Sequence, residues 1–349
     1  MEDYRKALTV WYNHAKRELP WRERRDPYSI WVSEVILQQT RVLQGIEYYY
    51  NFLRAFPDIK TLALAPEEEV LKVWQGLGYY SRARSMHHAA QTILTDHLGA
   101  FPTDYHSIRR LKGIGDYTAA AIASIAYNLP YAAVDGNVYR VLSRLFGIAT
   151  PTDSAAGKKE FANLARELLD TRSPGEFNQA VMEFGAIQCL PSQPLCASCP
   201  LAIRCHAFVH QTVSSLPVKS KKTIQKARYF NYLYLHHENR LMLEKRGEKD
   251  IWRNMYQFPL IETDQPTSFE ELLFSSKWFA MMGKLTHTIQ SVHPIKIHLL
   301  THQRLHIRFI SIALEKSHVP EHWHSVELNE SERYAVPKPI EQFLQELGQ

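Results

Sequence analysis

The sequence predicts a mostly α-helical N-terminal domain followed by a smaller α+β domain. Up to about residue 210, apolar residues recur at spacings of three and four, as in amphipathic helices. Beyond Tyr229 the pattern changes to alternation, which is typical of half-buried strands. A polar and basic stretch, SSLPVKSKKTIQKAR, separates the two patterns. We therefore place the domains at residues 1–216 and 229–349, with a linker at 217–228.

Composition and charge restrict the class of protein. The 349 residues have 45% hydrophobic content, enough for a substantial core, and a formal charge of +5. This charge is compatible with a polyanionic partner but too small to establish one. No stretch approaches the roughly 20 apolar residues needed to span a bilayer, and the N-terminus has no signal-peptide core. We expect a cytoplasmic monomer with no membrane partner.

Individual elements follow from the same periodicities. The helical pattern is clearest in SIWVSEVILQQTRVLQGIEYYYNFLRAF, EEEVLKVWQGLG, TAAAIASIAYNL and KKEFANLARELLD. In the second domain, RYFNYLYLHHENRLMLEKR predicts two strands joined near residues 237–239, and KIHLLTHQRLHIRFISIAL predicts a longer strand pair. PIEQFLQELG predicts a helix close to the end of the chain.

The strongest chemical signal is a run of four cysteines in a loop at residues 189–205. They are all the cysteines of the chain: Cys189, Cys196, Cys199 and Cys205. Such local clustering excludes a disulfide framework spread over the fold and favours one metal-binding ligand set over reduced structural thiols. Four thiolates suit either an iron–sulfur cluster or tetrahedral zinc. Zinc sites usually pair two CxxC-like knuckles, whereas these cysteines are spread singly along one loop, which favours the cluster only slightly.

A second motif is LKGIGDYTA, in which Gly113 and Gly115 form a tight turn between two helical segments. Glycines allow backbone N–H groups at a helix start to approach a phosphate, whose charge the helix dipole favours. The pattern L-x-G-x-G-x-x-T-A is that of a helix-hairpin-helix. Taken alone, it is equally compatible with an ordinary interhelical turn.

Two carboxylates stand out by their surroundings. Glu34 lies in the apolar segment IWVSEVILQQT, where burial would raise its pKa and suit it to act as a general acid. The alternative is a salt-bridged glutamate at the edge of the core. Asp135 precedes an apolar-periodic helix and is well placed to cap it, and the capping donors would keep it ionised. One neutral acid and one fixed carboxylate are what glycosidic cleavage requires.

Other polar and aromatic residues could face a nucleic acid. Planar groups can replace a flipped base or wedge a base stack, and arginines can hold phosphates, although most tyrosines only pack. The candidates are Gln38, Gln39, Thr40, Tyr79, Tyr80, Arg82 and Arg84. The linker carries basic residues with no acidic neighbour, which favours a solvated tether over a dedicated DNA site. They are Lys219, Lys221, Lys222, Lys226 and Arg228.

Together these segments resemble the adenine DNA glycosylases of the MutY family, within the helix-hairpin-helix superfamily that includes endonuclease III. The resemblance spans nearly all of residues 1–216. It is carried by LPWR, SEVILQQT, GLGYYSRAR, LKGIGDYTA, VDGNVYRVLSR, FNQAVMEFGA and the four cysteines. It implies a helix-hairpin-helix glycosylase domain whose cysteine loop holds a [4Fe–4S] cluster.

The resemblance also implies roles for individual residues. Glu34 is similar to the acid that protonates N7 of the flipped adenine, and Asp135 to the carboxylate that stabilises the cationic sugar. Asn137 and Tyr117 match residues that orient the reacting groups. The expected adenine pocket consists of Leu19, Trp21, Arg22 and Gln179. The expected lesion-side wedge consists of Gln39 and Tyr79 or Tyr80, and Thr40 is a further DNA-binding candidate.

The same resemblance implies a monofunctional enzyme. Bifunctional relatives such as endonuclease III have a lysine at the position of Tyr117, and a tyrosine cannot form the Schiff base needed for efficient strand cleavage. The implied substrate is double-stranded DNA with adenine opposite 8-oxoguanine or guanine. The two rival hypotheses are a glycosylase/lyase for oxidised pyrimidines and a non-catalytic DNA-binding protein that keeps the scaffold.

The second domain resembles, more weakly, the family's Nudix-like module that reads 8-oxoguanine. No intact acidic Nudix helix is present, so pyrophosphate hydrolysis is not expected. The family's lesion-reading turn carries Phe-Ser-His after a strand, and the matching segment here is Leu300-Thr301-His302. The hydroxyl and imidazole donors of Thr301 and His302 remain, whereas the aromatic ring does not.

Overall fold

The computed structural model describes residues 1–220, 225–316 and 320–347 and divides the chain into two units. Unit 1 comprises residues 1–65 and 81–221, and unit 2 comprises residues 66–80 and 222–349. Lys221 and Lys222 of the predicted linker lie outside the described residues.

The described α-helices are α1 (Glu2–Ala15), α2 (Pro27–Leu37), α3 (Val42–Ala55), α4 (Ile59–Leu64), α5 (Glu67–Val73), α6 (Ser81–Asp96), α7 (Tyr105–Arg110), α8 (Asp116–Tyr127), α9 (Gly136–Phe146), α10 (Ala155–Leu168), α11 (Pro174–Glu183), α12 (His206–Val209), α13 (Phe269–Leu273), α14 (Ser276–Met282) and α15 (Lys338–Leu347). The described strands are β1 (Lys226–His237), β2 (Arg240–Lys245), β3 (Tyr256–Gln257), β4 (Leu260–Thr263), β5 (His287–Val292), β6 (Lys296–Leu299), β7 (Gln303–Leu314) and β8 (Trp323–Glu327). The predicted fold class, a helical domain followed by an α+β domain, is confirmed. Within the described ranges, no helix has the length and apolar character required to cross a membrane.

Helix α2 forms a buried support in the centre of unit 1. Asp26 caps it by accepting the Ser29 N–H, and Pro27 occupies the first turn, where its missing N–H costs nothing. Every residue from 28 to 36 is buried, so this helix is enclosed on all sides. At its C-terminal end the Arg82 guanidinium donates to the carbonyls of Val35 and Ile36 at 2.7 and 3.2 Å. Arg82, a candidate phosphate ligand in the sequence, thus uses one of its guanidinium nitrogens to cap the end of α2.

Helices α9, α10 and α11 build a second part of the unit 1 core. The apolar face of α9 presents Val141, Leu142 and Leu145, which are buried together with Phe161 of α10 and Phe177 of α11. Asp135 begins α9 as its N-cap, and Gly147 ends it in the left-handed conformation with φ of 70°. Both ends of α9 are therefore fixed by local sequence, and the prediction that Asp135 caps a helix is confirmed.

Unit 2 is built on an eight-stranded mixed sheet with the order β3-β2-β1-β7-β5 along its main path. Strands β1 and β7 pair in parallel at its centre, whereas β2 and β4 pair antiparallel with β1. Alternate residues Leu233 and Leu235 of β1 pack beside Ile310 and Ile312 of β7, under Trp278 of α14. The predicted β1–β2 and β6–β7 strand pairs are both confirmed.

The basic linker is shorter than the sequence pattern suggests. Strand β1 already begins at Lys226, which pairs with Gln303 of β7. Arg228, expected on an exposed tether without an acidic partner, donates instead to Asp250 and Glu262, each at 2.7 Å. These partners are distant in sequence, so the local composition did not reveal them.

The helix-hairpin-helix turn joins α7 to α8. Gly113 has φ of 81°, a conformation that disfavours any side chain, and a Cβ there would lie 2.5 Å from the Ser85 Cβ. Gly115 has φ of −89°, and a Cβ there would meet nothing within 4 Å. The fold therefore requires glycine at position 113 but not at position 115.

We expect Gly113→Ala to lower the free energy of unfolding by about 2 to 4 kcal/mol, the combined cost of a left-handed backbone and a steric overlap. Gly115→Ala is the matched control and should change it by less than about 0.5 kcal/mol. Urea denaturation of the two variants measures the difference. Equal stabilities would contradict this account of the turn.

Candidate active site

A cavity of about 850 Å³ in unit 1 contains the side chains that the sequence singled out for catalysis. Its walls come from the region before α2, from α2 itself, from α8, from the start of α9, from α11 and from Lys219. The predicted site residues that line it are Glu34, Tyr117, Asp135, Asn137, Leu19, Trp21, Arg22, Gln179, Gln39 and Thr40. Residues far apart in sequence thus share one cavity large enough for a nucleobase and a sugar.

Glu34 has the environment expected of a general acid. It lies in the buried middle of α2 and is only 9% exposed. Its pKa is raised to about 7, because burial and the charge of Asp135 together raise it by more than the hydrogen bond from Tyr117 lowers it. The Tyr117 hydroxyl donates to Glu34 Oε2 at 2.5 Å. The raised pKa predicted from the sequence is confirmed, and near neutral pH a large fraction of Glu34 carries a proton.

Asp135 is also buried but has a more polar environment, because it accepts two hydrogen bonds at the beginning of α9. Its Oδ1 accepts the Val138 N–H at 2.8 Å, and its Oδ2 accepts from Asn137 Nδ2 at 2.7 Å. Burial raises the pKa of Asp135, and these donors oppose the rise. The aspartate is consequently oriented by two donors, whereas Glu34 is held by one hydroxyl.

Asn137 is oriented in turn by Arg140, one turn further along α9. Arg140 Nη2 donates to Asn137 Oδ1 at 2.7 Å and to the Gly185 carbonyl at 2.7 Å. Its Nε donates to the carbonyl of Cys189, the first cysteine of the loop, at 2.7 Å. One guanidinium therefore connects the cysteine loop to the residue that orients Asp135.

Sequence reasoning missed Glu183, which lines the same cavity. Its side chain is 2% exposed and receives the guanidinium groups of Arg17 at 2.6 Å and Arg22 at 2.8 Å. Bonds from these two arginines hold the pKa of Glu183 at about 2 against the effect of burial. Glu183 follows Gln179 by four residues and so lies on the same helix face, the one sequence signal that pointed to it.

The predicted lesion-side tyrosines differ in exposure. In unit 2, the Tyr79 ring is 46% exposed, and its hydroxyl lies 2.6 Å from the hydroxyl of Thr301. Tyr80 is only 5% exposed and accepts the Gly76 N–H, so its ring is not free to wedge into DNA. Thr301 and His302 are exposed in the turn between β6 and β7. These four residues are not among those that line the cavity.

The four cysteines line one small cavity together with Arg144 of α9. Arg144 Nη1 donates to Cys189 Sγ at 3.4 Å and to the Leu190 carbonyl at 2.7 Å. Burial raises the pKa of Cys199 to about 11, and a bound cation would reverse this because it stabilises thiolates. Within the described ranges, no three His, Cys, Asp or Glu side chains stand at the spacing of a single metal ion. The donors are sulfur atoms, which suits a sulfur-bound metal group.

Two family descriptions match this chain. Residues 32–167 match the HhH-GPD superfamily base excision DNA repair proteins, and residues 231–346 match the NUDIX domain. The chain is 32% identical over 351 residues to the adenine DNA glycosylase of Buchnera aphidicola subsp. Acyrthosiphon pisum, covering 97% of this chain and 95% of that protein. It is 43% identical over 213 residues to the adenine DNA glycosylase of Homo sapiens, covering 58% of this chain and 39% of that protein.

Solved structures agree with these matches. A thermostable thymine-DNA glycosylase superposes with a TM-score of 0.56 at 28% identity, covering 60% of this chain and 96% of its own. A trapped endonuclease III–DNA covalent intermediate superposes with a TM-score of 0.53 at 22% identity, covering 60% and 97%, which supports the fold alone. The chain therefore belongs to the adenine DNA glycosylase family and is an enzyme of the DNA N-glycosylase class.

Proposed function

We propose that this protein is a monofunctional glycosylase that removes adenine paired with 8-oxoguanine, and secondarily with guanine, from double-stranded DNA. The observation that carries the proposal is the shared cavity of Glu34 and Asp135, two carboxyl groups held in different environments. Different environments allow one carboxyl group to donate a proton while the other remains charged. The protein acts as a monomer in the cytoplasm.

Base release begins with a proton transfer from Glu34 to N7 of the extruded adenine. The C1′–N9 bond then breaks, and its electron pair leaves with the adenine, whose N7 proton makes it a better leaving group. Asp135 stabilises the oxocarbenium-like sugar, because a nearby negative charge offsets the positive charge that develops on it. A water molecule adds to C1′ and releases a proton, leaving an abasic site and free adenine. Asn137 and Tyr117 orient these groups through their bonds to Asp135 and Glu34.

The adenine pocket consists of residues around the same cavity. Leu19 and Trp21 supply apolar walls, since both are buried beside it. Arg22 and Gln179 supply polar groups for the base edge, and Arg22 is oriented by its ion pair with Glu183. Fixed polar groups of this kind reject bases that lack matching donors and acceptors.

The 8-oxoguanine on the opposite strand is read by a different set of groups. Tyr79 acts as the wedge, because it is the exposed member of the tyrosine pair, and its hydroxyl supports Thr301. Thr301 and His302 donate to the lesion, and Gln39 and Thr40 contact the space that the adenine leaves. Gly113 and Gly115 bring backbone N–H groups of the hairpin close to a phosphate. In this assignment, residues 1–216 form the glycosylase domain and residues 229–349 the Nudix-like lesion-recognition domain.

The cysteines hold a [4Fe–4S] cluster in this proposal. Four sulfur ligands from Cys189, Cys196, Cys199 and Cys205 around one cavity, with a guanidinium at one sulfur, support it. When bound, the cluster supplies a cross-link that orders the loop, and base release requires no redox chemistry from it.

Base release should be fastest from duplexes with adenine opposite 8-oxoguanine, slower opposite guanine and slowest opposite cytosine or thymine.

Glu34→Gln should reduce single-turnover release by at least about 10²-fold, because the amide cannot donate the proton, while mismatch binding is kept. Glu160→Gln, which removes an exposed carboxylate on α10, is the matched control. Normal release by Glu34→Gln would refute the assignment. A wild-type protein that binds the mispair but releases nothing would support the non-catalytic rival.

The pH dependence should follow the proton on Glu34. Single-turnover release should fall as pH rises through about 7, because the protonated acid is lost. Tyr117→Phe removes a hydrogen bond that lowers the pKa of Glu34, so this fall should move to higher pH. Tyr139→Phe is the control, since Tyr139 lines the same cavity. If Tyr117→Phe and Tyr139→Phe gave the same alkaline limb as wild type, Glu34 would not be the titrating acid.

Purified protein should be brown and should contain iron and acid-labile sulfide. Cys199→Ser should lower the iron content and the visible absorbance, because one sulfur ligand is lost. Ser198→Ala changes the adjacent residue and should leave both unchanged. Zinc without iron in the wild-type protein would contradict the cluster.

A further inference from the structure

The segment that follows the cysteine loop is fixed to unit 1. The Val218 carbonyl accepts the Thr152 N–H at 3.0 Å, and the N–H and hydroxyl of Ser220 donate to Asp153 Oδ1 at 2.9 and 3.0 Å. Lys219 lies between these two attachments. Its backbone position is therefore set by hydrogen bonds on both sides, which differs from the solvated tether that its composition suggested.

Lys219 is exposed and also lines the cavity that contains Glu34 and Asp135. The other lysine or arginine residues lining this cavity are Arg17 and Arg22, and both are ion-paired with Glu183. Among the described residues, Lys219 forms no ion pair. An exposed cation on the wall of a cavity is available at its mouth.

The chemistry of the substrate indicates what this cation binds. A nucleotide whose base enters the cavity brings its two flanking phosphates to the mouth, because the sugar joins them directly to the base. The carboxyl groups of Glu34 and Asp135 repel those phosphates whenever they are ionised. Arg17 and Arg22 are held by their ion pairs with Glu183, so among the described residues that line the cavity Lys219 is the cation that can turn to a phosphate.

We propose that Lys219 is a substrate-binding residue whose ammonium group holds a phosphodiester next to the extruded nucleotide. This inference rests on the proposed function, because it assumes that a nucleotide enters the cavity. A lysine at this place acts as a point charge that positions the backbone without reading sequence. The contact would help to keep the nucleotide extruded while Glu34 and Asp135 act on it.

The test measures binding to a duplex in which the adenosine opposite 8-oxoguanine carries a 2′-fluorine that slows base loss. Lys219→Gln should weaken binding about tenfold at low salt and reduce the slope of log affinity against log salt by about 0.9, as for one lost phosphate contact. Lys219→Arg should keep most of the affinity. Lys159→Gln, which removes an exposed lysine on α10, is the matched control and should change neither quantity.

Neutral methylphosphonate linkages placed singly beside the target adenosine identify the phosphate. One of them should weaken binding by the wild-type protein but have little further effect on Lys219→Gln. Equal losses in both proteins, or a Lys219→Gln variant that behaves like Lys159→Gln, would overturn the inference. Borohydride trapping on product DNA that disappears in Lys219→Gln would also overturn it, because the amine would then attack the sugar. Base release by the wild-type protein from unmodified duplex tests the proposed function separately.

Discussion

The hydrogen bonds that Asp135 accepts at the start of α9 are the constraint on which the rest of the site depends. They fix the carboxylate, and through α9 they fix its position relative to the cysteine loop, because Arg140 and Arg144 lie on the same helix. Arg140 contacts both Asn137 and the Cys189 carbonyl. A change in the structure of the loop would therefore alter the position of Asn137 through this one side chain. A helix cap, usually a local stabilising device, here also sets the geometry of the chemistry.

The two carboxyl groups show how environment assigns different roles to similar side chains. Glu34 is surrounded by the apolar residues of α2. Burial raises its pKa, and the hydrogen bond from a single hydroxyl lowers it. Asp135 is also buried, but a backbone N–H and an amide donate to it. Glu183 is a third case, in which two guanidinium groups keep a buried carboxylate ionised. The cavity therefore holds three carboxyl groups in three different environments: one has a hydroxyl donor, one has a backbone and an amide donor, and one has two guanidinium groups.

Much of the fold could be predicted from the sequence, because local patterns determine it. The hydrophobic periods of α9 and α10, the strand-forming residues of β1 and β7 and the capping position of Asp135 are all short-range signals. The alternation predicted half-buried strands, which is wrong for the middle of β1 and β7, where six consecutive residues of each strand are buried. The raised pKa of Glu34 could also be predicted, since its apolar neighbours in the sequence are its neighbours in the helix. These expectations needed no knowledge of tertiary contacts.

The remaining features depend on partners that are distant in sequence. Arg17 and Glu183 are 166 residues apart, so no local pattern identifies their ion pair. Arg228 looked unpaired because Asp250 and Glu262 lie in other segments. The difference between Tyr79 and Tyr80 is likewise a property of the folded backbone, since adjacent residues of the same type have opposite exposure.

Residues 66–80 illustrate a further consequence of this chain order. They interrupt unit 1 in sequence but fold with unit 2, where Glu68 bonds Lys245 at 2.6 Å and Gln75 bonds Glu341 at 2.9 Å. During synthesis this segment is made before residues 222–349, so its bonds to Lys245 and Glu341 form only after those residues have been added. All residues of unit 1 are therefore present before residues 222–349 of unit 2, and a chain that ended at residue 221 would hold segment 66–80 without its bonds to Lys245 and Glu341.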